Sequence, residues 1–361
     1  MDPEPVLALG LMSGTSMDGI DAALIETDGE ARLKPVAFLT EPYDPAFRAR
    51  LAQAVASTRA DAGLEEELTR RHADAVKALL REARTGKGSV ALIGFHGHTI
   101  FHAPLERRTV QIGDGALLAK LTGIAVVNDF RSADVAAGGE GAPFAPVFHR
   151  AIAAALEKPV AVLNVGGVAN VTWIGGDGAL RAFDTGPGNA LIDDWAHSHI
   201  GRPIDEGGRL AAAGRVEERL LALMMQDGYF GRPPPKSLDR NHFRSAPALL
   251  AGLGPEDGAA TLTHFTATAA AAALPHLPER PLRWLVTGGG RHNPALMSAL
   301  RARLGAPVDP IEAIGWDGDA IEAQAFAYMA VRSRKGLPIS FPETTGAPRP
   351  ITGGRFHAAE R

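Results

Sequence analysis

Short apolar runs separated by glycine-rich polar turns dominate the chain. Residues 6–12 and 20–26 are apolar and flank a segment rich in Gly, Ser, Thr and Asp, which predicts two strands joined by a turn. Residues 159–178 repeat this plan around Gly166 and Gly167. We interpret the recurrence as a weak duplication of design and not as a sequence repeat.

Helical periodicity marks other segments. Residues 61–84 place Leu64, Leu68, His72 and Leu79 on one face, which predicts an amphipathic helix. Further helices are predicted over 115–122, 151–157, 258–274 and 318–334, and from Pro294 behind the N-cap Asn293. Strands, hairpins and helices mix throughout, so the fold class is α/β with mixed sheets.

The remaining segments are predicted from their glycines and prolines. Residues 89–102 predict a buried strand, a polar turn and an extended return, and 124–128 a short buried strand. Residues 129–149 predict a loop or hinge near which the chain passes between domains. Residues 228–247 predict a proline-broken loop, and 282–287 a strand that ends in three glycines.

Length, charge and composition limit the classes of function. The chain has 361 residues, which suits two domains, and a net charge of −4 without a basic stripe, which argues against nucleic acid or membrane partners. The lack of cysteine excludes disulfides, thiol catalysis and cysteine-ligated zinc. The N-terminus is unlike a signal peptide and the alanine-rich residues 267–274 are too short to span a bilayer. We therefore expect a soluble, cytoplasmic protein.

The first turn suits a phosphate group. Gly14 and Gly19 have the spacing of a P-loop, but Ile20 and Asp21 stand where that motif needs Lys and Ser or Thr. Small residues still let backbone N–H groups and hydroxyls approach an anion, and Asp18 is suited to a hydrated magnesium ion. The alternative for this turn and for the second one is a plain β-hairpin turn.

Three further features suggest a site. Gly288–Gly290 bring backbone and a helix N-terminus to one place, which suits a nucleotide but is common in α/β proteins. Asp184 is predicted at a strand end beside an irregular loop, where it is either a general base or a cap of the next turn. Glu322 lies on an apolar helix, either at its solvated edge or in a site.

The histidines His96, His98 and His102 raise the question of zinc. Their spacing matches no standard site and no acidic partner is near in sequence, so hydrogen bonds to substrate or loop backbone are favoured. Arg131, after a buried strand, either grips a carboxylate in bidentate fashion or pairs with acidic neighbours.

The order of these segments resembles the anhydro-N-acetylmuramic acid kinases, a family of the hexokinase, actin and Hsp70 phosphotransferase superfamily. The resemblance covers nearly the whole chain, and SGTSMDGID with DTGPGN is a specific combination. The matching segments are GLMSGTSMDGIDAALIE, GFHGHTIFHAP, QIGDGALLA, NDFRSADVAAGGEGAPFAPVFHR, LNVGGVANVTWIG, FDTGPGNALIDDW, TGGGRHNPALM and DGDAIEAQAFAYMAVR.

The resemblance implies a two-domain, actin-like ATPase (ribonuclease H-like) fold with an interdomain cleft. We expect one domain over 1–132 and 337–361 and the other over 133–336. ATP and Mg²⁺ are the implied cofactors, with Asp184 as the catalytic residue. The residues assigned to the nucleotide are Gly14, Thr15, Ser16, Met17, Asp18, Gly19, Ile20, Asp21, Asn164, Gly166, Gly167, Gly288, Gly289 and Gly290. Those assigned to the sugar are Glu322, His96, Arg131 and Asn189.

The implied activity is hydrolytic opening of the 1,6-anhydro ring of anhydro-N-acetylmuramic acid with phosphorylation of O6, which serves peptidoglycan recycling. A homodimer is implied as well. Two alternatives stay open: an ordinary sugar kinase that phosphorylates an open hexosamine, and a non-enzymatic sensor of ATP or a muropeptide sugar.

The chain departs from the usual family pattern in three places. His98 and Glu140 stand where the family usually has Gln, and the loop keeps Pro-Lys-Ser at 235–237 but lacks the Thr-Gly-Arg-Glu that usually follows. We expect these changes to affect fine contacts with the substrate, without touching the phosphate turns or Asp184.

Overall fold

The computed structural model of the protein describes residues 4–14, 16–239 and 241–359. The strands are β1 (Val6–Ser13), β2 (Gly19–Thr27), β3 (Leu33–Pro42), β4 (Val90–Ala103), β5 (Arg108–Ile112), β6 (Val126–Asn128), β7 (Val160–Val165), β8 (Val168–Ile174), β9 (Leu180–Pro187), β10 (Arg283–Thr287), β11 (Val308–Pro310) and β12 (Arg355–His357). The helices are α1 (Pro45–Ser57), α2 (Ala62–Glu82), α3 (Gly115–Thr122), α4 (Ser132–Ala137), α5 (Pro146–Ile152), α6 (Ala190–Ile200), α7 (Arg209–Ala213), α8 (Glu218–Met224), α9 (Pro255–Ala272), α10 (Pro294–Leu304), α11 (Ile321–Arg334) and α12 (Pro342–Thr345).

These strands form two sheets of the same plan. One has the order β12-β6-β4-β1-β2-β3, with β5 paired to β4, and the other has the order β11-β10-β7-β8-β9. In each, three consecutive strands are antiparallel and two later strands continue the sheet in parallel from the first. The predicted α/β class with mixed sheets is confirmed. The interdomain cleft stays a prediction.

The chain divides into two compact units, Met1–Ala154 with Ala320–Arg361 (unit 1) and Ala155–Asp319 (unit 2). The predicted bounds had placed residues 133–154 and 320–336 in the second domain. The packing of α11 explains part of the difference, since a Cβ on Gly10 of β1 would lie 1.8 Å from the carbonyl oxygen of Ala323. At this position the helix lies directly on the first sheet, with no room for a side chain on residue 10.

Several predicted elements are confirmed. Helix α2 begins after Asp61, whose carboxylate accepts the N–H of Leu64 at 2.7 Å, and its buried face includes His72. Asn293 caps α10 by accepting the N–H of Leu296 at 3.0 Å. The central strands β1, β7 and β10 are almost fully buried, which explains why they appear in the sequence as continuous apolar runs.

The predicted turn within residues 89–102 is wrong, because β4 is a single strand. Gly97 has φ +72° at the point where β4 passes from its pairing with β1 to its pairing with β5. A Cβ there would lie 2.2 Å from the carbonyl oxygen of Ile112, so only glycine fits. The glycine thus permits a local irregularity in the strand and not a reversal.

Two other predictions are corrected. Residues 129–149 contain α4 and the start of α5, where a loop was predicted, and Pro146 takes the first position of α5, which suits its fixed φ. The helix predicted over 151–157 ends at Ile152. Within the described ranges, no helix is both long and apolar enough to cross a membrane.

Strand β9 also differs from the prediction that it ends at Asp184. It continues to Pro187, and Asp184 pairs with Asn170 of β8 before the register shifts, so that Gly186 is the residue that pairs with Ala169. Such a bulge bends a strand and re-aims its side chains. Asp184 therefore lies inside a strand, immediately before a bulge.

Candidate active site

The turn between β1 and β2 presents polar side chains. The N–H of Met17 donates to the carbonyl of Gly14 at 3.0 Å, and Met17 has a positive φ of 55°. The hydroxyl of Ser16 donates to Oδ1 of Asp18 at 2.8 Å, and both residues are exposed. Thr15, also assigned to the nucleotide, lies outside the described residues. The turn thus offers an exposed hydroxyl and an exposed carboxylate.

The start of β2 has structural roles of its own. A Cβ on Gly19 would lie 2.5 Å from the carbonyl oxygen of Glu41, so this position requires glycine. Ile20 is buried in the core of unit 1. Asp21 accepts the hydroxyl of Thr40 at 2.6 Å. The predicted nucleotide residues of the first turn therefore include positions that the fold itself requires.

Three buried, hydrogen-bonded side chains lie next to this turn, at the end of β1. Ser13 is the last residue of β1. Its Oγ lies 2.9 Å from Nδ1 of His98 and accepts a hydrogen bond from the hydroxyl of Tyr43 at 2.9 Å. Burial lowers the pKa of His98 to about 4, so the ring is neutral near pH 7. The expectation that the His98 departure does not touch the phosphate turns is wrong, because His98 contacts the residue that precedes Gly14.

Two residues assigned to the sugar meet in unit 1. Nδ1 of His96 lies 2.9 Å from the carbonyl of Gly97, which can only accept, so Nδ1 carries the hydrogen. Nε2 is then an acceptor, and Nε of Arg131 donates to it at 3.1 Å. Burial lowers the pKa of His96 well below its usual value, which keeps the ring neutral and able to accept this bond.

The charge of Arg131 is anchored and balanced. Its Nη1 donates to the carbonyl of Gly141 at 2.6 Å. Burial lowers the pKa of Arg131 to about 10, while Glu322 favours the charged form. Glu322 is exposed as a residue, but partial desolvation of its carboxyl group raises its pKa; Arg131 opposes this effect and Asp18 adds to it. His96, Arg131 and Glu322, which the sequence left far apart, thus interact.

In unit 2 the second turn is tied to the segment after β9. The N–H of Asn189 donates to the carbonyl of Gly166 at 2.7 Å, and its Nδ2 donates to that of Val165 at 3.2 Å. The N–H of Gly188 donates to the carbonyl of Gly167 at 3.0 Å. The structure therefore joins Asn189, assigned to the sugar, to the turn assigned to the nucleotide.

The third glycine segment packs against the same turn. Gly288 has φ +76°, and a Cβ on it would lie 2.4 Å from Oδ1 of Asn164. A Cβ on Gly290 would lie 2.6 Å from Cβ of Val165. Three segments that were predicted separately, including Asn164, therefore meet within unit 2.

Three glycines differ from these because the protein leaves room around them. The nearest atom to an added Cβ would lie 3.5 Å away at Gly14, 3.6 Å away at Gly166 and 3.4 Å away at Gly289. None of the three has φ in the left-handed region. Neither backbone conformation nor packing among the described residues requires glycine at these positions.

Arg291 fixes the Gly288 segment and was missed by the sequence analysis. Its Nη1 donates to the carbonyl of Gly288 at 3.0 Å, and its guanidinium bonds to Glu312 at 2.7 Å and Asp319 at 2.8 Å. Burial opposes the charge of Arg291, but the bonds to Asp319 and Glu312 outweigh burial and raise its pKa. No sequence motif signals this role, because the partners come from a separate loop.

Asp184 is held by the proline-broken loop. Its N–H donates to the carbonyl of Lys236 at 3.1 Å, its carbonyl accepts the hydroxyl of Tyr229 at 2.6 Å, and Oδ2 accepts the N–H of Leu238 at 2.8 Å. The side chain is half-buried. Leu238 belongs to the part of the loop that departs from the family pattern, so the expectation that these departures do not touch Asp184 is also wrong.

Lys236 is a second residue that the sequence analysis missed. It is buried, and Nζ donates to the carbonyls of Tyr229 at 3.1 Å and Phe230 at 3.4 Å. Burial lowers its pKa to about 8, which Arg232 reinforces and Asp184 opposes. The retained Pro-Lys-Ser in an otherwise altered loop was the available signal.

The three histidines of β4 have separate partners. His96 bonds to Arg131, His98 to Ser13 and His102 to Thr109. Across residues 4–14, 16–239 and 241–359, no group of three or more His, Asp or Glu side chains is arranged to hold a metal ion. The polar turn, the glycine segments and the fixed carboxylate are instead suited to bind an anion and to accept a proton.

Comparison with solved structures gives distant likenesses. Component A of (R)-2-hydroxyglutaryl-CoA dehydratase from Acidaminococcus fermentans matches 90% of this chain and 99% of its own at 15% identity, with a TM-score of 0.49. A ROK family glucokinase from Streptomyces griseus, in complex with glucose and AMPPNP, matches 90% and 99% at 16% identity, with a TM-score of 0.42.

Sequence relatives are much closer. An anhydro-N-acetylmuramic acid kinase from Paramagnetospirillum magneticum is 58% identical over 98% of this chain and 99% of its own. One from Rhizorhabdus wittichii is 55% identical over 98% and 99%. The family model described as anhydro-N-acetylmuramic acid kinase matches residues 6–358. The chain therefore belongs to the anhydro-N-acetylmuramic acid kinase family.

Proposed function

We propose that the protein is an ATP-dependent kinase that opens the 1,6-anhydro ring of 1,6-anhydro-N-acetylmuramic acid with water and phosphorylates O6. The products are N-acetylmuramic acid 6-phosphate and ADP. One observation carries this proposal, the match of the family model over residues 6–358 together with a relative named anhydro-N-acetylmuramic acid kinase at 58% identity. Cell-wall recycling, a cytoplasmic location and a homodimer are the corresponding expectations for its role.

We assign the phosphates of ATP to Gly14–Asp21 of unit 1 and to Asn164, Gly166 and Gly167 of unit 2. We assign the adenosine to Gly288–Gly290. The open space at Gly14, Gly166 and Gly289 supports these assignments, because a ligand that approaches the backbone is a physical reason for glycine where the protein supplies none.

Mg²⁺ is the proposed companion of ATP. Magnesium bound to phosphates usually takes only one or two carboxylates and keeps several waters. Asp18 fits this requirement, since its carboxylate is exposed and oriented by the hydroxyl of Ser16. When bound, the ion would neutralise charge on the phosphates during transfer.

Asp184 is the proposed general base. Its carboxylate would take a proton from the water whose oxygen forms a bond to C1, while the bond from C1 to O6 breaks. O6 would then take the γ-phosphoryl group, and ADP would leave. The fixed position of the carboxylate supports this role, because the Leu238 N–H and the adjacent bulge hold it while the side chain stays half-exposed.

His96, Arg131, Glu322 and Asn189 are the proposed contacts of the sugar. Nε and Nη1 of Arg131 are already bonded to His96 and Gly141. The guanidinium would therefore act on the carboxylate of the sugar as an anchored positive charge more than as a two-pronged fork. Glu322 would bond to hydroxyl groups or to water.

The proposal is tested by ADP release from the whole protein with MgATP and a panel of anhydro and reducing amino sugars. We expect rapid release with anhydro-N-acetylmuramic acid and slow release with the reducing sugars. Preference for a reducing hexosamine would instead identify an ordinary sugar kinase. Binding without ADP release from any sugar would identify a sensor.

A further inference from the structure

The segment 229–238 holds Asp184 at both its backbone and its carboxylate. Tyr229 bonds to the carbonyl of Asp184, Lys236 accepts its N–H, and Leu238 donates to its Oδ2. This segment includes no α-helix or strand, so something other than a backbone ladder must keep its shape.

The ammonium ion of Lys236 supplies that support. It donates to the carbonyls of Tyr229 and Phe230, at the opposite end of the segment from Leu238, and lies 4.6 Å from the centre of the Tyr229 ring. Charge-assisted hydrogen bonds and a cation above an aromatic face are both stronger than their neutral counterparts. One buried side chain thus ties together the residues that hold Asp184.

Asp184 and Arg232 act on the pKa of Lys236 in opposite directions. The negative charge of Asp184 favours the protonated, charged form of Lys236. Arg232 acts in the other direction. Tyr229 stays neutral, since burial raises its pKa above its usual value. Other titratable groups near this segment, among the described residues, include Asp227, which accepts the N–H of Tyr229, His242, which bonds to Asp227, and His276, which bonds to the carbonyl of Phe230.

We propose that Lys236 is a positioning residue for the reaction, whose buried positive charge holds the 229–238 segment on β9 and keeps Asp184 ionised. The inference rests on the proposed function, in which Asp184 is the base. Lys236 is missing from every role that the sequence analysis assigned, and it acts through Asp184 and not on the substrate.

The positive charge of Lys236 should affect the pKa of Asp184, which a purely structural role of Lys236 would not do. The pKa of Lys236 is lowered to about 8, so its cation is present throughout the acidic range in which a carboxylate titrates. A nearby positive charge favours the ionised form of a carboxylate. Removal of the charge should therefore raise the pKa of Asp184 and move the acid limb of the pH profile to higher pH.

The experiment is the pH dependence of kcat/KM for the anhydro sugar at saturating MgATP. Lys236→Gln removes the charge and keeps N–H donors, whereas Lys236→Arg keeps the charge in a larger group. Lys158→Gln is the matched control, because Lys158 also donates to a backbone carbonyl, that of Leu156 at 2.7 Å, and burial also lowers its pKa. Ionisation of the substrates affects all four proteins equally, so differences between their pH profiles come from the enzyme.

We expect the acid limb of the Lys236→Gln profile to move to higher pH by about 0.5–1 pH unit, the size expected for the loss of one charge in a partly solvated site. The limbs of Lys236→Arg and Lys158→Gln should coincide with that of the unmodified protein, even if Lys236→Arg has a lower kcat. Melting temperatures confirm folding, and Lys236→Met replaces the Gln variant if that protein is unstable.

An unmoved limb in the neutral variant would overturn the inference, as would equal shifts in the neutral and Arg variants. The proposed function is tested separately. If Asp184→Asn loses turnover while the limb of Lys236→Gln stays in place, only the role of Lys236 is wrong. If Asp184→Asn keeps full turnover, the role of Asp184 and this inference both fall.

Discussion

The turns that follow β1 and β7 occupy the same place in two sheets of the same strand order, yet they are built differently. The first presents the side chains of Ser16 and Asp18 above a buried contact of Ser13. The second consists of Gly166 and Gly167, whose carbonyls bond to the segment after β9. The same strand plan thus ends in exposed polar side chains in unit 1 and in glycine backbone in unit 2. The two turns should therefore fail under different substitutions.

The largest effect is expected from a substitution on β9, the third antiparallel strand of its sheet. In unit 1 the third strand, β3, carries Thr40, whose hydroxyl donates to Asp21 of β2. In unit 2 the third strand, β9, carries the carboxylate of Asp184 itself. Asp184→Asn should lower kcat by about 10²–10⁴-fold, or roughly 3–5 kcal/mol of barrier, as for loss of a general base. Steady-state kinetics measures this loss, and isothermal titration should show unchanged ATP binding.

The exposed Asp194 on α6 provides the control, and Asp194→Asn should leave kcat unchanged. A rate near that of the unmodified protein for Asp184→Asn would remove Asp184 from the role of base.

The segment Gly288–Gly290, which packs against the backbone-built turn, should be sensitive to added carbon atoms. Gly289→Val should raise the KM for ATP by about tenfold or more, roughly 1.4 kcal/mol, by blocking the approach of the nucleotide to the backbone. The melting temperature should change little, because a Cβ there meets its nearest atom at 3.4 Å. Gly290→Ala should instead cost about 1–3 kcal/mol of unfolding free energy through overpacking against Val165.

Nucleotide titration and thermal unfolding of both variants separate the two effects. Unchanged ATP affinity in Gly289→Val would contradict the assignment of the adenosine to this segment.

The side-chain-built turn should depend on its buried support. His98→Leu removes a partner of Ser13 and should raise the KM for ATP by about 2–10-fold, the usual worth of one hydrogen bond. His72→Leu is matched, since His72 is also buried and neutral, with a pKa near 4, but bonds to Leu68 and not to the turn. We expect similar melting temperatures for both variants, and a KM change in His98→Leu alone.

Restoration of the KM by His98→Gln, the residue that the family resemblance leads us to expect at this position, would strengthen this result. Equal KM changes in the two Leu variants would show that His98 acts only on general stability.

The smallest effect is expected at Gly14. A Cβ there has room, with its nearest atom 3.5 Å away, and the turn presents side chains as well as backbone. Gly14→Ala should therefore raise the KM for ATP by less than about threefold, or roughly 0.7 kcal/mol, and by less than Gly166→Ala does in the turn after β7. Parallel kinetics of the two Ala variants measures the difference, and the reverse order would refute the comparison between the turns.

The sequence predicted local structure better than it predicted contacts. Glycine clusters between apolar runs located both turns and the Gly288 segment, because glycine and apolar periodicity act on neighbouring residues. The bulge beside Asp184 was missed, since it depends on how β9 pairs with β8. The roles of His98, Lys236 and Arg291 were missed for a similar reason, because each contacts residues that are distant along the chain.

The most direct test of the account is the source of the anomeric oxygen in the product. The reaction is run in H₂¹⁸O and quenched before spontaneous anomeric exchange, and the sugar phosphate is analysed by mass spectrometry. The account predicts one ¹⁸O at the anomeric carbon for each ADP formed from the anhydro sugar. ADP and sugar phosphate formed together without that ¹⁸O would contradict the central claim that water opens the ring.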